Sequence, residues 1–67
     1  MAESTEAKRV LNYLAAVPSG STTVAKEVLQ EMLLSTSGWI FAQGEAYNIR
    51  GTDIGADIFE VRLEPRY

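Results

Sequence analysis

Neither cysteine nor histidine occurs among these 67 residues. The first absence removes disulfides and thiolate ligands; the second removes the commonest metal ligand and the usual general base. Catalysis would be left to carboxylates, Ser, Thr, Tyr or Lys, so the expectation is a non-enzymatic protein with no metal and no cofactor. No apolar run approaches the ~20 residues that cross a bilayer, which predicts no membrane partner. The opening MAESTEAKR lacks the basic-then-apolar order of a signal peptide. A cytoplasmic location is the default on that reading.

Positive charge is also scarce. Six Lys and Arg stand against nine Asp and Glu, for a net charge of −3. The excess is spread: residues 1–34 carry three bases and four acids, residues 35–67 three bases and five acids. No block of one sign forms a tail or a steering patch. Indiscriminate nucleic-acid binding needs clustered Lys or Arg, and none is visible.

What is present is apolar. A hydrophobic share of 46% supports a folded core and argues against disorder. A chain this short buries only about 60% of its unfolded surface. It must therefore live on its core alone or gain stability from a partner or a second copy of itself, and a homodimer is one expectation. Residues 1–67 read as a single domain.

In order along the chain, Ser4 or Thr5 is the candidate cap of a first helix, with Glu6 favoured in its first turn. Ala7, Val10, Leu11, Leu14 and Val17 form one stripe, which predicts a helix over about 5–16. Pro18, Ser19 and Gly20 end it. Ser21, Thr22 and Thr23 are three candidate caps for a second helix over about 22–34, with Val24, Val28, Leu29, Met32 and Leu33 on its inner face.

After Gly38 the period changes. Strands are predicted over about 39–43, 46–50 and 57–64, with Gly44-Glu45 as a turn or bulge and residues 51–57 as a loop. Phe59, Val61 and Leu63 alternate with Glu60, Arg62 and Glu64, so one face of the last strand is buried and the other wet. The fold class is therefore α+β: two N-terminal helices packed on a small two- or three-stranded antiparallel sheet. Trp39, Phe41, Tyr47, Ile49, Phe59, Val61 and Leu63 are expected on its apolar side. A sheet this small leaves an exposed edge, where another chain can add on.

The functional expectation is a regulatory or inhibitory module that acts by contact with a larger protein, possessing an acidic surface for the purpose. Glu45, Asp53, Asp57, Glu60 and Glu64 supply that surface, suited to a basic groove that otherwise holds nucleic acid. Tyr13 lies off the buried stripe of its helix and joins them as an interface candidate. In size and composition the chain is similar to inhibitors encoded by phage and other mobile elements.

A second expectation comes from element order. Helix, turn, helix, the stretch Leu33 to Ile40 with its Gly38-Trp39-Ile40, strand, and the hairpin around Arg50 to Asp57 resemble a winged helix-turn-helix domain. That resemblance implies a DNA-binding regulator, with Lys26 and Gln30 of the second helix reading DNA and Arg50 of the wing touching a phosphate. Two helices are evident where the family usually has three, and Glu27 and Glu31 share the outward face of the second helix.

Overall fold

The computed structural model describes residues 5–66. The element order is α1 (Thr5–Ala16), β1 (Ser21–Ala25), α2 (Lys26–Thr36), β2 (Trp39–Ala42), β3 (Glu45–Gly55) and β4 (Ile58–Pro65). The strands form one antiparallel sheet in the order β1-β4-β3-β2, and both helices lie on one face of it. The α+β class expected from the sequence is observed, but the sheet has four strands rather than two or three.

Helix α1 buries Ala7, Val10 and Leu14 of the stripe its spacing predicts; Leu11 is half-buried, and Val17, past the end of the helix, is exposed. Ser4, one of its two candidate caps, lies outside the described residues. The other, Thr5, is the helix's first described residue. At the far end the Gly20 N–H donates to the Val17 carbonyl at 2.9 Å. A Cβ on Gly20 would sit 2.8 Å from the Tyr13 hydroxyl, so a larger residue there would push the end of that ring aside.

The fourth strand is the segment Ser21–Ala25, read from the sequence as the start of the second helix. It pairs with β4, from Ser21 opposite Arg62 to Ala25 opposite Ile58. Thr22, Thr23 and Val24 are β-branched, and ladder pairing with β4 outweighs a helical start there. Val24 is buried in either conformation, which is why periodicity did not separate the two. Helix α2 therefore begins at Lys26, and none of Ser21, Thr22 and Thr23 caps it. Ala25 is its N-cap, with no side-chain bond. The Lys26 N–H instead donates to the Asp57 carbonyl at 2.9 Å, so a turn from the other end of the chain closes the helix. The helix runs to Thr36, two residues past its expected end. The Thr36 hydroxyl donates to the Met32 carbonyl at 2.7 Å and accepts from the Gly38 N–H at 3.2 Å. Ser37 and Gly38, both at positive φ, then turn the chain into β2.

Residues 51–57 are not a loop. Strand β3 continues through Gly55, with a bulge between Asp53 and Gly55, and Ala56-Asp57 is a two-residue turn with φ of 55° and 61°. Both angles suit the primed turn that joins tightly twisted strands. The turn between β2 and β3 is of the same kind and falls at Gln43-Gly44, one residue before the expected Gly44-Glu45, with φ of 52° and 84°; Glu45 already pairs with Ala42 as the first residue of β3.

Val24, Leu29, Met32, Ala42, Ile49, Val61 and Leu63 join the buried residues of α1 in one core, flanked by Val28, Ile40, Tyr47 and Phe59; Leu33, expected on the inner face of the second helix, is exposed instead. Gly51 lies directly under α2: a Cβ there would come within 2.6 Å of Leu29 Cδ2. Of the apolar face expected from the sequence, Ile49, Phe59, Val61, Leu63 and Tyr47 are on the helix side. Trp39 and Phe41 are not. The two-residue turn fixes the register of β2 on β3, and alternation then sends Ile40 and Ala42 inward and Trp39 and Phe41 to the opposite face.

Candidate functional site

Among the described residues no helix covers the outer face of the sheet. Alternation places Trp39 and Phe41 of β2 there. From β3 come Ala46, Asn48, Arg50 and Thr52, and from β4 Ile58, Glu60, Arg62 and Glu64. The Trp39 and Phe41 rings meet edge-to-face, their centroids 5.0 Å apart at 77°. The Arg66 guanidinium sits 4.9 Å from the Trp39 ring centroid, a cation–π contact. The Arg66 N–H donates to the Ala46 carbonyl at 3.2 Å, which extends the β3–β4 pairing past Pro65. Ala46 is only 6% exposed although it is outside the helix-side core. Phe41, its direct cross-strand neighbour, stays 67% exposed.

Beside this aromatic corner runs a row of ion pairs. Arg50 and Arg62 are direct cross-strand neighbours. Each has its own carboxylate: Arg50 pairs with Glu64 at 2.7 Å and Arg62 with Glu60 at 3.7 Å. Three arginines and two glutamates thus share the open face of a chain whose overall charge is −3. The remaining described acids, Glu6, Glu27, Glu31, Glu45, Asp53 and Asp57, lie on the helices, at strand ends or in turns. The acidic excess is on the helix side and the rim.

The acids named from the sequence are therefore not gathered into one patch. Glu60 and Glu64 are on the open face, each held by an arginine. Glu45 and Asp53 are eight residues apart on β3, about 27 Å in an extended strand. Asp53 Oδ1 accepts the Gly55 N–H at 2.8 Å and shapes the bulge. Asp57 forms the turn that closes α2. Tyr13 is on another side of the molecule, 43% exposed, in a shallow cleft with Arg9, Val10, Ser21 and Thr22.

The residues of the DNA-binding alternative are also divided. Lys26 and Gln30 are exposed on α2, in the helix layer, whereas Arg50 is on the opposite face of the sheet and bound to Glu64. Among the described residues no group of three or more acidic side chains could hold a metal ion, and no helix is long and apolar enough to cross a membrane.

Sequence reasoning did not place Trp39, Phe41 and Arg66 together. Every residue of Trp39–Ala42 is apolar, so alternation is silent there. The available signal was the Gln43-Gly44 pair, whose tight-turn chemistry fixes which residues face which way. Compared with protein-family models, curated proteins and solved structures, the chain matches none of them.

Proposed function

We propose that this chain is a non-enzymatic regulatory module that contacts a larger protein through the open face of its sheet. One observation carries the reading. Phe41, two-thirds exposed, stands beside Trp39 and Arg66 on a face that no helix covers. Trp, Tyr and Arg dominate the energetics of protein interfaces, and rings anchored by neighbours lose little entropy on binding. Glu60 and Glu64 contribute from within the arginine row, giving a mixed-charge flank that selects a partner of matching pattern. The scattered positions of Glu45, Asp53, Asp57 and Tyr13 do not support one continuous acidic surface.

The reading is tested by placing a photo-crosslinking residue at Asn48, on the open face beside Trp39, or at Gln30, on exposed α2. In native host cells Asn48 is expected to give an adduct with a larger protein, and Phe41→Ser to abolish it. An adduct from Gln30 alone would overturn the assignment. Nucleic acid crosslinked at Gln30 would favour the DNA-binding alternative.

A further inference from the structure

We propose that two copies of this chain join antiparallel through β2, about a two-fold axis at Ile40, to make a continuous eight-stranded sheet. The inference goes beyond the binding role above and starts from the backbone. Ala42 and Glu45 flank a two-residue turn, so they form a hydrogen-bonded pair. The Ile49 N–H donates to the Gly38 carbonyl at 2.8 Å, which continues the same phase. Gly38, Ile40 and Ala42 thus direct their backbone groups at β3, and Trp39 and Phe41 direct theirs away from the sheet. Strand β2 is terminal in the order β1-β4-β3-β2, so those groups form an open edge.

This edge has none of the usual guards except its shortness. Six residues, Trp39 to Gly44, carry no charge, no proline and no bulge. Two copies of a chain of net charge −3 can approach there without setting like charges opposite each other. The other terminal strand, β1, is likewise uncharged, but Ser21, Thr22, Thr23, Val24 and Ala25 offer no aromatic ring to pack across a seam.

Register follows from the requirement that both sets of helices stay on one side of the joined sheet. Residues directly opposite in an antiparallel pair share a face, so the axis must fall on a residue and not between two. An axis at Ile40 sets Trp39 opposite Phe41 of the second copy and Phe41 opposite its Trp39. All four outward-pointing groups of Trp39 and Phe41 are then satisfied, by four reciprocal hydrogen bonds. Ile40 faces its own copy on the helix side, and four aromatic rings line up on the open face. An axis at Phe41 satisfies only the Phe41 pair within the strand and sets Trp39 against Gln43 in the turn. Backbone pairing uses the edge and leaves the open face available, so this interface and partner binding are compatible.

Two measurements test it on the full chain. Sedimentation equilibrium should show the mass rising towards twice 7.4 kDa with concentration. Phe41→Lys should hold the chain at monomer mass, and Thr23→Lys on the opposite edge should leave the rise unchanged. Since the chain has no cysteine, Ile40→Cys gives a single reporter at a non-hydrogen-bonded site, where Cα atoms approach about 4.5 Å, within disulfide reach. Mild oxidation should give a covalent dimer from Ile40→Cys and none from Thr23→Cys. Crosslinking from Thr23→Cys alone would overturn the assignment. So would monomer mass at all concentrations with crosslinking from neither variant. Neither readout needs the larger partner, so loss of this dimer and loss of partner binding are separable results.

Discussion

The backbone N–H of Lys26 donates to the carbonyl oxygen of Asp57 at 2.9 Å, so the tip of the β3–β4 hairpin closes the first turn of α2. Ala56 and Asp57 hold that tip at positive φ, a region that costs an ordinary L-residue about 1–2 kcal/mol. Ala56→Gly should therefore raise stability by up to about 1 kcal/mol, after the extra chain entropy of glycine is counted. Asp57→Val, β-branched at the same φ, should lower it by about 1–2 kcal/mol. Urea unfolding measures both. Amide exchange should quicken at Lys26 in Asp57→Val, and unchanged exchange there would deny the link between turn and helix.

Gly51 is set against Leu29 with no room for a methyl group. Gly51→Ala should destabilise by about 1–3 kcal/mol through overpacking. Combined with Leu29→Val, which shortens the opposing side chain, the loss should be less than the sum of the two single changes. A double-mutant cycle reads that coupling, and strict additivity would rule the contact out as the cause.

Buried and exposed apolar residues should separate cleanly. Met32, fully buried, should cost about 2–4 kcal/mol on change to alanine, a large share of what a domain this small has. Phe41→Ala, two-thirds exposed, should cost less than about 1 kcal/mol. Thermal melts would show the contrast, since 1 kcal/mol moves the midpoint by about 4–8 °C at this size.

The ion pairs of the open face should matter little to stability. The Arg50 and Glu64 side chains are 59% and 44% exposed, so solvent screens them. Glu64→Gln leaves Arg50 facing Arg62 with one fewer carboxylate and should cost at most about 1 kcal/mol at low salt. The difference should disappear in high salt. A loss that persists there would mean that packing, not charge, is what Glu64 supplies.

The parts of the fold legible in the sequence were those with one strong period. The α1 stripe of Ala7, Val10 and Leu14 and the alternation of Phe59, Val61 and Leu63 needed no tertiary information. The parts that were hidden depend on distant pairing. Thr22 to Val24 become a strand because β4 offers a free ladder, with Phe59, the partner of Val24, 35 residues away. Ala56-Asp57 is a tight turn without the Asn-Gly or Asp-Gly that usually announces one. The open-face corner was obscured for a different reason. Large rings are usually buried, so Trp39 and Phe41 read as inward-facing from the sequence, and only the register set at Gln43-Gly44 reverses that.

The position of β4 in the sheet has a consequence for how the fold is reached. It is the last strand in sequence yet lies between β1 and β3, so it supplies ladder bonds to both neighbours. During synthesis, β1 emerges more than thirty residues before any strand exists for it to pair with. Until Ile58–Pro65 arrives, Ser21–Ala25 has no ladder, α2 has no closing turn, and Val24 has no sheet to bury against. Assembly therefore waits on the final strand, and a stall just before it would leave an uncharged strand exposed to whatever else in the cell has an open edge.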